Sequence, residues 1–300
     1  MKKDSKILKS VLGIIISIII VTLGIQSEDI AKIMNGTENT QENNTCINKT
    51  VDELLRIYYI DVGQADSILV INKDKTMLID AGNNDDGNMV VDFIKDKGVS
   101  KLDYVIGTHP HEDHIGGLDD VIKSLDIGKL YMPKIQTNTK TFEDVLDAAL
   151  EKGIDIESPN IGDKFNISDA NCEVMSSKID NKNLNLASIV IRMEYGKQSY
   201  LFMGDAETEN ESERTWPKTN VLKVGHHGSN TSSSKKFLEQ VSPEIAIISV
   251  GKDNKYGHPK QVIIDRLNKM GIKIYRTDLN GTILIKSDGN ENQIETEKQI

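Results

Sequence analysis

The sequence predicts an α/β fold with two sheets packed face to face and helices on their outer sides. Short apolar or alternating runs come first and βα units follow. That succession then repeats and closes on a strand pair. Two such halves, each a strand-rich stretch leading into βα units, are what a sheet-on-sheet core with outer helices requires.

The elements follow in order. From Leu54, the runs LRIYYIDV, DSILVI and TMLIDAG are separated by turn residues and read as antiparallel strands. Asn88 to Lys97 has helical spacing and stops at Gly98, which suits a C-cap. LDYVIGT is a buried strand, followed by a loop and a helix from Gly117 to Leu125. A helix over 141–151 leads into the strand-rich stretch IDIE, DKFNI, CEVMS, LASIVIRMEY and QSYLFMGD. Strand and helix then alternate through VLKVG, SSKKFLEQV, EIAIISV, PKQVIIDRLNKM, IKIYRT and TILIKS. Residues 54–288 are thus expected to form the folded domain, with 289–300 a polar tail that frays.

Ahead of that domain, Lys2, Lys3, Lys6 and Lys9 precede an apolar run from Val11 to Ile25. A basic flank and an apolar core read as a signal peptide or an uncleaved signal anchor over 1–25. No A-x-A site follows Ile25, which favours the anchor. The positive-inside rule then places the remainder outside the cytoplasmic membrane, anchored and facing outward or secreted. Residues 26–53, rich in Asn, Thr, Glu and Gln, read as a polar linker.

Composition excludes several classes. The 300 residues are 38% hydrophobic and 27% charged, which rules out a collagen-like or wholly disordered chain. Lys plus Arg number 36 against 46 Asp plus Glu, for a net charge of −10. Such a chain does not coat nucleic acid non-specifically, so a DNA substrate has to be gripped locally. Two cysteines, Cys46 and Cys172, exclude a disulfide framework or a cysteine-based zinc cluster and leave one optional bridge.

The chemistry concentrates in THPHEDHIGG, residues 108–117, which holds three of the six histidines. Pro110 biases His109 towards an extended backbone, so His109 and His111 project to one side as an i, i+2 pair suited to a single metal ion. Asp113 and His114 lie past the turn, where they face a second ion or a bound water. Gly116 and Gly117 remove side chains where the next helix packs close. Asp205 ends the strand SYLFMG, where a carboxylate bridges two ions or caps the following helix. Beside the histidine motif, the ligand role is the expected one. VLKVGHHGSNTSS, residues 221–233, runs a buried strand into His226 and His227. Adjacent histidines face one way only if the backbone turns, so one ligand, His226, and one substrate contact, His227, is the economical reading. His258, in KYGHPK, is expected to contact phosphate or act as general acid. Asp61, Gln64, Asp66 and Asp80, at strand ends, read as support for the ligating histidines or as turn chemistry.

With those residues in place, the chain resembles a metallo-β-lactamase-fold hydrolase, in particular the ComEC-type metallo-hydrolase domain attached to the bacterial competence DNA-uptake channel. The resemblance spans roughly residues 55–288 and rests on DVGQAD, LIDAG, THPHEDHIGG, NLASIVIRM, FMGDAE, LKVGHHGSNTS, YGHP and YRTDLNGTI. It implies an αββα sandwich of two mixed sheets with metals at one edge. It also implies His109 and His111 on one ion, Asp113 and His114 on the other, Asp205 bridging, and one of His226 or His227 completing the set. Ala65 departs from the family's usual glycine. No histidine lies between His114 and Asp205, where Asn185 stands, and this implies a weaker first metal site. The sequence shows a single N-terminal apolar segment in place of a multi-span channel, so a transport role is not expected to carry over.

The expected function is a phosphodiesterase or nuclease acting on DNA outside the membrane, using one or two divalent ions (Zn²⁺ or Mn²⁺) and a metal-bound hydroxide. Asp113 would orient that hydroxide, and His227 or His258 would stabilise charge or protonate the leaving oxygen. Lys223, Lys235, Lys236, Lys252 and Lys255 would form a local basic lip. The alternatives are an exported cell-wall phosphodiesterase of choline-phosphate esterase type, with Tyr58, Tyr59, Tyr131, Trp216 or Tyr256 as an aromatic cage, and a non-catalytic tethered DNA-binding module.

Overall fold

The computed structural model describes residues 53–299. The expected anchor over 1–25 and nearly all of the linker lie outside the described residues. Among the described residues, no helix is long and apolar enough to cross a membrane.

The first half lays down β1 (Leu55–Tyr59), β2 (Ser67–Asn72), β3 (Lys75–Ala81), β4 (Lys101–Ile106), β5 (Asp126–Tyr131) and β6 (Ile156–Glu157). Helix α1 (Gly87–Asp96) joins β3 to β4, α2 (Glu112–Ile115) and α3 (Leu118–Ser124) join β4 to β5, and α4 (Lys140–Lys152) joins β5 to β6. The second half supplies β7 (Lys164–Ile167), β8 (Ala170–Ser176), β9 (Val190–Tyr195), β10 (Gln198–Phe202), β11 (Val221–Lys223), β12 (Ile245–Ile248) and β13 (Lys273–Arg276). Its helices are α5 (Thr208–Ser212), α6 (Lys235–Val241), α7 (Gln261–Lys269) and α8 (Thr277–Asn280). The chain then returns to the first sheet as β14 (Ile283–Ser287) and β15 (Asn292–Thr296). One sheet runs β15-β14-β1-β2-β3-β4-β5-β6 and the other β13-β12-β11-β10-β9-β8-β7.

Side-chain alternation explains the layering. In β1 and β2, Leu55, Ile57, Tyr59, Ile68 and Val70 face a core between the sheets. Their neighbours Tyr58, Leu69 and Ile71 face a second core under the first-half helices, shared with Val90, Ile94 and Val145. In β10 to β12, Tyr200, Phe202, Val221 and Ile247 join the inter-sheet core, whereas Leu201, Leu222 and Ala246 pack with Phe237 and Leu267 of α6 and α7. Strands buried on both faces read as continuous apolar runs, which is why the sequence exposes them so clearly.

Both sheets are mixed. Strands β3 to β6 are parallel, as are β10 to β13, so the carboxyl ends of β3, β4, β10, β11 and β12 gather at one edge. Gly116 and Gly117 serve that edge. A Cβ at Gly116 would lie 2.2 Å from the Asn83 carbonyl carbon, and one at Gly117 would lie 2.4 Å from Ala81 O. Only glycine lets α2 and α3 approach the loop after β3 this closely.

One expectation is corrected. Residues beyond Asp288 do not fray: β15 pairs antiparallel with β14 from Ser287↔Asn292 to Ile283↔Thr296. The Asp288 carboxylate accepts the N–H of Asn290 at 2.7 Å and closes the turn. An exposed edge strand carrying the single apolar residue Ile294 lacks the hydrophobic signal that marks an interior one.

Candidate metal centre

Asp80, at the end of β3, organises the histidine motif. Its Oδ1 accepts the backbone N–H of Thr108 at 2.8 Å and its Oδ2 the Thr108 hydroxyl at 2.8 Å. The same Oδ2 lies 2.7 Å from His114 Nδ1. A carboxylate on Nδ1 fixes the imidazole's tautomer and leaves Nε2 facing inward. Asp80 therefore takes the supporting role open to it in the sequence reading.

Asp205 stands at the centre, and its two oxygens face different partners. Oδ2 lies 3.8 Å from His109 Nε2 and 3.5 Å from His226 Nε2, with His111 Nδ1 a further 3.0 Å from His109 Nε2. Oδ1 lies 3.2 Å from His114 Nε2 and 3.5 Å from His227 Nε2. His227 Nε2 is also 3.4 Å from Asp113 Oδ2. Two nests thus share one carboxylate.

The pair His226–His227 departs from expectation. Both residues adopt left-handed backbone angles, φ 50° and 51°. The chain therefore turns at the end of β11, and both rings reach Asp205. His227, expected as the substrate contact, is buried and belongs to the cluster, whereas His226, expected as the ligand, is the more open and bonds Thr231 Oγ1 at 3.0 Å.

Electrostatics follow from burial and neighbours. Burial pulls His109 well towards its neutral form and His111 in the same direction, helped in each case by His114. Burial also disfavours charge on His114 and His227, but the carboxylates of Asp205 with Asp80 or Asp66 override it. They push His114 well up and His227 up to about 10. Against its own burial, Asp205 is held well below the usual carboxylate range by His114 and His227, and Asp113 is held down by His227. Asp66 is buried yet held at about 2 by Lys223. Lys223 is itself buried against Asp66 rather than exposed on a lip, because its position on β11 points under the cluster. The central carboxylates thus favour positive charge on His114 and His227, while His109 and His111 are held neutral.

The sequence profile of the metallo-beta-lactamase superfamily matches residues 60–252. The chain belongs to this superfamily. It is 37% identical to ComE operon protein 3 of Bacillus subtilis over 75% of its own length and 32% of that protein, and 32% identical to competence protein ComA of Neisseria gonorrhoeae over 74% and 31%. The chain therefore spans about a third of the length of the curated relatives it matches. Among solved structures it superposes on the metallo-beta-lactamase fold protein YhfI of Bacillus subtilis with a TM-score of 0.53 at 10% identity, covering 78% of this chain and all of that one. It is thus a superfamily hydrolase with competence-protein homologues.

Membership in the metallo-β-lactamase superfamily implies divalent-metal binding, and the residues fit. His114 Nε2, His227 Nε2, Asp205 Oδ1 and Asp66 Oδ1 are buried without a hydrogen-bond partner. Ligand atoms of His109, His114 and Asp205 converge, as do those of Asp113, His114 and His227, and of Asp66, Asp205 and His227. Buried lone pairs aimed at one another are costly unless a cation takes them up. The nitrogen and carboxylate donors suit Zn²⁺ and Mn²⁺ alike.

A cleft of about 320 Å³ opens over the cluster, lined among others by Gln64, His111, Asp113, Asn185, His227, Tyr256 and His258. Gln64, expected as support for the ligating histidines or as turn chemistry, lines this cleft. Its Oε1 accepts the Gly251 N–H at 3.1 Å, which leaves Nε2 as an unpartnered donor in the cleft.

Proposed function

We propose that this chain is a metal-dependent phosphodiesterase that cuts DNA on the outer side of the cytoplasmic membrane. The observation that carries the reading is the shared carboxylate: Asp205 presents each oxygen to a separate histidine pair beneath an open polar cleft. The competence proteins among its relatives support DNA as substrate.

His109, His111 and His226 with Asp205 would hold one ion, and Asp113, His114 and His227 with Asp205 the other. Divalent ions held there supply Lewis acidity, which acidifies water and offsets phosphate charge. The chain's own groups do the rest. Asp113, kept ionised and facing the cleft, orients a water for attack on phosphorus. Gln64 Nε2 donates to a non-bridging phosphate oxygen. His258 is pulled down to about 4 by burial and by His226 and His227. It is therefore neutral near pH 7, which of its two expected roles favours the hydrogen-bonding contact to phosphate over the general acid.

The cell-wall esterase reading lacks its cage. Tyr59, Tyr131 and Trp216 are buried in the cores and Tyr58 lines a separate groove. Of the five aromatics considered, Tyr256 alone lines the cleft.

The test follows degradation of single- and double-stranded DNA, with bis-(p-nitrophenyl) phosphate alongside, by metal-stripped full chain on adding Mn²⁺ or Zn²⁺. Cleavage that needs metal, is lost in Asp205→Ala and falls by about 10²–10⁴-fold in Asp113→Ala is expected. Turnover of the small diester alone would remove DNA as substrate. Binding of DNA without turnover of either would make the chain a binding module.

A further inference from the structure

Tyr256 is the one aromatic among the large exposed apolar side chains of the described residues, at 48% exposure, and it lies on the wall of the metal cleft. An aromatic ring left half in water beside a polar site offers its exposed area to a planar partner, here with His258 stacked on it and the Lys255 ammonium over the ring. A series of rings leads to it from the cluster. His226 faces Asp205, the His258 ring lies 5.6 Å from that of His226, and the Tyr256 ring stacks on His258 at 5.7 Å with 22° between planes.

The loop that carries Tyr256 is held in shape. Asn254 Nδ2 donates to Gly251 O at 2.9 Å and His258 O at 2.7 Å, Asn254 Oδ1 accepts the His258 N–H at 3.0 Å, and Lys260 Nζ donates to Tyr256 O at 2.6 Å. A ring on a pre-shaped loop loses little entropy when a ligand stacks on it. The loop also carries Lys252, Lys255 and Lys260 against Asp253, with Lys255 Nζ 5.0 Å from the Tyr256 ring centre. Those ammonium groups repel a quaternary ammonium and attract phosphate. An aromatic ring flanked by lysines is the combination that holds an unpaired nucleotide, with the base on the ring and the backbone on the cations. In a duplex both faces of each base are already stacked, and freeing one costs energy.

We propose that Tyr256 is a base-stacking subsite that takes an unpaired nucleotide adjacent to the phosphodiester being cut. The inference rests on the phosphodiesterase reading and adds single-stranded nucleic acid as the substrate class.

The test is fluorescence anisotropy with the full chain and labelled, phosphorothioate-linked oligonucleotides that resist cleavage: oligo-dT, an abasic strand with the same number of phosphates, and a duplex. Wild-type protein and Tyr256→Phe bind oligo-dT at least about fivefold more tightly than the abasic strand, by the usual worth of one base on one ring. Tyr256→Ala and Tyr256→Leu bind the two alike. Equal affinity of wild type for dT and abasic strands overturns the subsite, as does equal affinity for the duplex. Tyr256-dependent binding of phosphocholine in place of the oligonucleotide overturns it too. Turnover of bis-(p-nitrophenyl) phosphate by the wild type separates the two levels: with turnover but no base discrimination only the subsite falls, and with neither both readings fall.

Discussion

Lys223 lies buried beneath the cluster, its ammonium against the Asp66 carboxylate and 3.4 Å from Gly204 O. Asp66 in turn faces His227 Nδ1 at 3.4 Å, so the lysine helps hold that imidazole in place. Lys223→Met strands a buried carboxylate, and a loss of about 3–5 kcal/mol is expected. Lys223→Met with Asp66→Leu removes both charges and recovers most of that loss. Urea unfolding of the single and double variants measures both. A lone lysine in an apolar strand carries no sequence signal of such a partner, so it read as surface. The motif at residues 108–117 was legible because three histidines so close together have few structural uses. Its geometric consequences at His226 and His227 were not, because they depend on two left-handed residues that composition does not announce.

Parallel strands β3 and β4 are joined by more than their ladder. Asp103 accepts the Thr76 N–H at 3.1 Å and the Lys75 ammonium at 2.8 Å. Burial would raise the Asp103 carboxyl, but these hydrogen bonds hold it below its usual range. A depressed folded value means that the contribution is fully present above the unfolded value of about 3.9 and is lost as pH falls through the folded one. Asp103→Asn is therefore expected to lower stability near neutral pH by about 1 kcal/mol or less, since Lys75 is half exposed. The gap to wild type closes at low pH, which thermal melts across an acid series would show. A gap that widens on acidification would contradict this. At this scale the sequence was most legible where strands are buried on both faces and where Gly98 ends a helix in a left-handed conformation. It was least legible at β15, whose polar alternation is the ordinary look of a solvated edge.

For the molecule as a whole, the return of the chain to the first sheet as β14 and β15 ties the end of the described sequence to its beginning, since β14 pairs with β1. Ile294 of β15 packs on the inter-sheet core. Truncation after Asp288 is expected to bare the β14 edge, lower the melting temperature and promote self-association, read by calorimetry and light scattering. An unchanged melting temperature would show that β15 adds nothing to the sandwich. The order of two strand-then-βα halves was legible from the apolar runs, and the family resemblance follows from motifs that the fold brings to one edge. A bridging role for Asp205 was legible too; that His226 and His227 both reach it, one at each oxygen, was not, because it depends on the relative placement of loops from both sheets.

That division is the central claim, and metal stoichiometry tests it most directly. Calorimetric titration of the metal-stripped full chain with Mn²⁺ should show two ions per chain, and Asp205→Ala should lose binding at both sites together because both share its carboxylate. A single ion, or two ions bound unchanged in Asp205→Ala, would contradict the shared-carboxylate account.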